Sequence, residues 1–227
     1  MTRTRYSVLG FDLDGTLVDT AGEIAEAANL ALRDLGLACR TPTEVANLIG
    51  VGGRQLMRDL VRTTAADATG DRAAADEDLA YHRFAHHYAA TVGTSCRAYA
   101  SAGPALARLR AAGIRLACVT NKEEGFSRSV LAACGMQDAF DLLVAGDTLA
   151  VKKPDARVLA HVVAMLGGEP ARTAHVGDSR IDVAAARNAG VAAWAVPYGY
   201  NRGEPIERAR PDRTFGSLGE VADYVLG

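Results

Sequence analysis

Two aspartates, Asp12 and Asp14, stand one residue apart directly after the apolar run "YSVLGF", and Gly15 and Thr16 follow at once. Other short apolar runs end in the same way. "IRLACVT" (114–120) runs into Thr120, Asn121 and Lys122, and "TAHVG" (173–177) into Asp178 and Ser179, with Asp182 one helical turn further on. Lys152 and Lys153 follow "FDLLVAGDTL". Carboxylates brought together repel, and a hard cation with oxygen ligands relieves them; Mg²⁺ takes one or two carboxylates and keeps several waters. A lysine, a hydroxyl and an amide beside such an ion make a pocket for a phosphoryl group. The chain has 22 arginines and only three lysines, Lys122, Lys152 and Lys153, all in these stretches. Where arginine is otherwise the rule, lysine reads as a demand for a compact point charge.

The elements that must position these residues alternate. Apolar runs at 6–11, 114–120, 140–146, 173–177 and 191–196 read as strands, and the last four are separated by helical patterns. The helical patterns lie at 103–113, 123–135, 154–167 and 179–190, each closed by glycine. That alternation predicts an α/β fold, a doubly wound, Rossmann-like parallel sheet covered on both faces. Ligands of such sheets bind beyond the carboxyl ends of the strands, where the polar residues above fall.

One segment breaks the pattern. Residues 20–95 read as helix throughout and predict an inserted all-helical cap domain, leaving 1–19 plus 96–227 as the α/β core. Thr20 and Glu23 fit a capping box, with Ile24, Ala28, Ala31 and Leu35 on one helical face. A second helix is expected after "IGVGGR" and a third over 75–93.

Composition bounds the function. With 227 residues, 49% hydrophobic and 23% charged, and a net charge of -2, the chain is an ordinary globular one. The insertion carries ten acids and seven bases, the remainder seventeen and eighteen, so neither part has a nucleic-acid footprint. No apolar run approaches the length of a membrane span, and the N-terminal run is too short for a signal peptide. Cys39, Cys96, Cys118 and Cys134 show no CxxC spacing, which reads as a reducing, cytoplasmic setting.

"DLDGTLVDT", "VTNK", "KKP" and "VGDSRIDVAAARNAG", in that order and spacing, resemble the four motifs of the haloacid dehalogenase superfamily of phosphatases. The resemblance spans nearly the whole chain. "VTNKEEGF" with "AGDTL", and the ending "PYGYNRGEPIERARPD", are similar within it to the bacterial phosphoglycolate phosphatases with a helical cap. The resemblance implies Mg²⁺-dependent hydrolysis of a small phosphorylated metabolite by a monomer or homodimer. Asp12 would be the nucleophile, forming an aspartyl-phosphate, and Asp14 the acid and base. Thr120 and Asn121 would hold phosphoryl oxygens, and Lys153 would balance charge. Asp12, the Asp14 backbone carbonyl and Asp178 would hold the metal, with Asp182 behind them orienting its waters or Lys153. Arg54, after "GVGG" at a helix start, is the candidate for a carboxylate on the substrate.

Other features point less far. His82, His86 and His87 have metal-like helical spacing but read as one helix face, and His175 reads as a core position within a strand. "GVGGRQ" has Gln55 where a dinucleotide loop needs glycine. Ala156 after "KKP", "YASAG" at 99–103 and Ile181 before Asp182 depart from the family pattern without removing a reacting group. Phosphatases of sugar phosphates or nucleoside monophosphates, and a phosphomutase, share these motifs. A receiver-type signalling domain has a similar acidic cluster but no inserted cap.

Overall fold

A computed structural model describes residues 5–67 and 77–227. Six strands form one parallel sheet in the order β5-β4-β1-β6-β7-β8: β1 Val8–Phe11, β4 Arg115–Val119, β5 Leu142–Val144, β6 Thr173–Gly177, β7 Ala192–Ala195 and β8 Arg213–Thr214. β1 is central and all four of its residues are buried, as a strand covered on both faces must be. Gly10 in its middle leaves room for a neighbour, since a Cβ there would lie 3.0 Å from Nδ1 of His175 on β6.

Helices cover both faces. α5 (Ala102–Ala111), α6 (Glu124–Ala133) and α9 (Leu218–Leu226) pack over a core built on Leu9, Phe11, Leu116 and Trp194. α7 (Ala156–Met165) and α8 (Arg180–Asn188) close the other side on Val8, Val119 and Ala193. The doubly wound α/β fold read from the alternation is therefore the fold observed. The C-terminal β8 and α9 extend it beyond the predicted elements.

Between β1 and α5 the chain is not helical throughout. A two-residue strand, β2 (Val18–Asp19), pairs antiparallel with β3 (Arg97–Ala98) and brackets α1 (Ala21–Asp34), α2 (Pro42–Ala46), α3 (Gly53–Asp67) and α4 (Glu77–Thr91). Residues 75 and 76 of the third expected helix, and 68–76 of the insertion, lie outside the described residues. These cap helices share a core of their own, with Ile24, Ala28, Ala31, Leu32, Met57 and Phe84 buried and Leu35 packed at its margin.

The expected capping box at the start of α1 does not form. The Thr20 hydroxyl donates to Asp14 Oδ1 at 2.7 Å instead of receiving a helix N–H. Glu23 turns inward, accepting from the Tyr88 hydroxyl at 3.0 Å and from the N–H groups of Gly93 and Cys96. The box pattern was met in sequence, but partners distant in the chain offered both side chains better bonds.

Candidate active site

Parallel register brings the predicted residues to one level. Phe11 lies beside Cys118 of β4 and Val176 of β6, so Asp12 emerges next to the turns that begin at Thr120 and Asp178. The chain runs from β1 to β4 and β5 on one side and returns to β6 on the other, and ligand sites form where strand order reverses in this way.

Lys153 anchors the floor. Its three ammonium donors are all used, by Asp12 Oδ1 at 2.8 Å, Asp182 Oδ1 at 2.7 Å and the Val119 carbonyl at 2.7 Å. Asp182 is saturated too: Oδ1 also meets His175 Nε2 at 3.1 Å, and Oδ2 accepts from the Ser179 hydroxyl and N–H. Asp178 accepts from the Thr16 hydroxyl at 3.2 Å and from the Tyr200 N–H at 2.6 Å. Two loops crowd it, because a Cβ on Gly15 would come within 2.3 Å of Asp178 Oδ2 and one on Gly199 within 2.2 Å. Gly15 also has φ +84°, the left-handed region that glycine enters without strain.

Oxygens of Asp12, Asp178 and Asp182 approach within 4.8 Å of one another. Burial, reinforced by Asp182 and Asp14, holds the Asp12 carboxyl up at about 7 even though Lys153 pulls it down. Burial and then Asp12 push Asp178 well above the usual carboxylate range. Burial would also raise Asp182, but Lys153 and His175 outweigh it and hold this group low. One ammonium thus satisfies Asp182 and leaves Asp12 and Asp178 sharing too much negative charge. A hard divalent cation between those two suits both the charge and the all-oxygen donor set.

The second aspartate faces different partners. Asp14 Oδ1 takes the Thr20 hydroxyl at 2.7 Å and lies 3.0 Å from the Lys122 ammonium. Thr120 accepts the Lys122 N–H on its hydroxyl oxygen, which leaves its O–H to donate. Asn121 is placed differently from expectation. Its side chain donates to the Gly50 and Lys153 carbonyls and accepts from the Lys153 N–H, so it ties the cap loop and the loop after β5 to this turn.

The cap closes this floor from above. Asp12, Asp14, Thr120, Asn121 and Lys122 line one pocket together with Ile24, Ile49, Leu56, Phe84 and Tyr88. Arg54 is the candidate that the structure does not bring to this cavity. Its side chain is 47% exposed, and its guanidinium pairs with Asp78 and lies 4.4 Å from the Tyr81 ring centre. The α4 histidines do not converge either: His87 pairs with Asp34 at 2.8 Å. His175 is a buried strand residue as expected, with burial favouring its neutral form.

Residues 6–190 match the family model for haloacid dehalogenase-like hydrolases. This chain belongs to that family. The hydrolase is 37% identical over 93% of its length, and 92% of the relative's, to a phosphoglycolate phosphatase of Thiobacillus denitrificans. A plasmid-encoded phosphoglycolate phosphatase of Cupriavidus necator is 43% identical over 83% of this chain and 80% of that one. A crystal structure of a predicted phosphoglycolate phosphatase from Haemophilus somnus superposes with a TM-score of 0.92 at 30% identity, covering 97% and 98% of the two chains. Among the described residues of the hydrolase, no helix is long and apolar enough to cross a membrane.

Some contributors to this hydrolase site were given no part in it by the sequence reading. Thr16 and Tyr200 hold Asp178, Thr20 holds Asp14, and His175 backs Asp182.

Proposed function

We propose that this hydrolase is a magnesium-dependent phosphomonoesterase that converts 2-phosphoglycolate to glycolate and phosphate through an aspartyl-phosphate on Asp12. The observation that carries the reading is Asp12 in a buried cluster with Lys153 and Asp178, beside an Asp14 whose Oδ1 is held by Thr20 and Lys122. The relatives named phosphoglycolate phosphatase, at 35–43% identity, supply the substrate.

Asp12 attacks phosphorus through the oxygen not held by Lys153. Lys153 balances the charge gathering between carboxylate and phosphoryl group, and Asp182 with His175 keeps that ammonium aimed. The Thr120 hydroxyl and the Asn121 N–H donate to phosphoryl oxygens. Asp14 Oδ2 delivers its proton to the departing alkoxide and then takes one from the water that hydrolyses the aspartyl-phosphate. Asp12, Asp178 and the Asp14 carbonyl would hold Mg²⁺, which supplies the positive charge that lets a carboxylate approach a phosphate dianion. The apolar roof of Ile24, Ile49, Leu56 and Phe84 keeps bulk water from the intermediate.

The test is phosphate release from 2-phosphoglycolate with Mg²⁺, against a panel of sugar phosphates and nucleoside monophosphates, with Asp12→Asn as control. A lead of about a hundredfold in kcat/KM, roughly 2.7 kcal/mol of transition-state preference, supports the named substrate. Asp12-dependent activity that is flat or highest elsewhere keeps the mechanism and overturns the substrate.

A further inference from the structure

A buried polar chain that the reaction above leaves unused joins the cap to Asp14. Lys122 Nζ lies 3.0 Å from Asp14 Oδ1 and donates to the Tyr88 hydroxyl oxygen at 2.6 Å, with the Tyr88 ring centre 4.7 Å away. The Tyr88 hydroxyl in turn donates to Glu23 Oε1 at 3.0 Å. Glu23 is 0% exposed, and its Oε2 takes the N–H groups of Gly93 and Cys96, in the segment that returns from cap to core. A carboxylate buried so deeply inside a helical layer is costly unless its bonds serve the fold or a site.

The proton count sets the direction of each bond. A phenol has one proton, and Glu23 claims it, so the oxygen faces Lys122 with a lone pair. Lys122 has no acceptor atoms and spends one donor on Tyr88 and one on Asp14. Burial, then Asp14 and Glu23, pushes Tyr88 well above the usual phenol range, so it keeps that proton. Without the phenol oxygen, the flexible lysine stem has no anchor on the cap side, and Asp14 Oδ1 keeps only the Thr20 hydroxyl.

We propose that Tyr88 is a positioning residue for the proton transfer, acting through Lys122 to hold Asp14 in the rotamer that presents Oδ2 to the leaving group. The proposal rests on the phosphatase reading and adds to it a cap residue at the wall of the same pocket, acting on Asp14 through Lys122. Tyr88 comes from α4 and Lys122 from the end of β4, so the array is complete only with the cap seated on the sheet.

The leaving group supplies the test. An alkyl phosphate needs a proton on the departing oxygen, whereas the phenolate of p-nitrophenyl phosphate departs without one. First-turnover rates are measured for Tyr88→Phe on both esters, the alkyl ester being whichever panel member the wild type hydrolyses fastest. A wrong substrate assignment therefore leaves the comparison intact, and failure of the phosphatase reading shows separately, as an inactive wild type. Expected is a fall of about tenfold or more on the alkyl ester and less than about threefold on the aryl ester. Lys122→Met is expected to show the same selective loss, and the double variant to lose little more than either single one. Thermal unfolding checks that each variant is folded, and Glu23→Gln, which keeps the shape of the chain, replaces Tyr88→Phe if that variant is not. Equal losses on the two esters, or no loss on either, overturn the proposal.

Discussion

Asp12→Asn should abolish turnover and at the same time make the metal-free protein more stable. The Asp12 side chain is buried, with the residue 4% exposed, and burial together with Asp182 and Asp14 holds its carboxyl at about 7. In the unfolded chain the same group titrates near about 3.9, so ionising it in the fold costs roughly 4 kcal/mol at neutral pH with no cation bound. The sign follows from proton counts: between about pH 4 and 7 the folded state holds more protons than the unfolded one. Stability therefore falls as pH rises through that window and levels off above it. Asparagine keeps the shape and has nothing to ionise. It gives up the charge-assisted contact to Lys153, which retains Asp182 and the Val119 carbonyl. We expect a net gain of about 1–3 kcal/mol, or roughly 3–8 °C in Tm for a chain of this size, at pH 8 in EDTA. At pH 5 the wild-type penalty is smaller by roughly 2.6 kcal/mol, so the gain should vanish or turn into a small loss. Thermal unfolding of both proteins at the two pH values, beside phosphate release with Mg²⁺, measures it. A variant no more stable than wild type at pH 8 in EDTA, or one that still turns over, would refute the reasoning.

Three further outcomes follow from the same geometry. Mg²⁺ should raise the wild-type Tm more at pH 8 than at pH 5, since it relieves a repulsion that protonation of Asp12 and Asp178 already relieves in acid; equal shifts would place the ion elsewhere. Lys153→Met leaves Asp12 and Asp182 without their shared ammonium and should cost about 3–5 kcal/mol in metal-free buffer along with activity, which a stable, active variant would contradict. Arg54→Ala should leave kcat and KM for 2-phosphoglycolate within about threefold, because its guanidinium is committed to Asp78 and Tyr81 outside the cavity; a tenfold rise in KM would make it the partner of the substrate carboxylate after all.

What was legible in the chain and what was not divide along a physical line. Strand ends were legible because an apolar run must stop somewhere, and in a parallel sheet the residues just past each stop share one edge. Asp12, Thr120 and Asp178 come together for that reason, with no need to know any side-chain rotamer, and Lys153 joins them from the longer loop after β5. The two-residue strands β2 and β3 left no trace, since a period of two needs more than two residues to show. α9 did have a readable face, with Leu218, Val221, Ala222 and Val225 at helical spacing and buried.

Polar contacts between elements belong to the other side of that line. Thr20 and Glu23 met the capping pattern, and nothing within four residues of either revealed Asp14, Tyr88 or Cys96 as better partners. Arg54 was correctly read at a helix start, but Asp78 and Tyr81 on α4 decide where its guanidinium goes. The contact of Tyr88 with Lys122 spans 34 residues and needs α4 rotated so that one phenol meets one ammonium. Such a contact depends on how two elements are turned against each other, which hydrophobic period constrains only to a face. The proposed nucleophile can therefore be located by a rule about strands, while the residues proposed to position its neighbour are fixed by packing of the cap. That difference is why the cap, rather than the sheet, is where this enzyme's distinguishing chemistry should be sought.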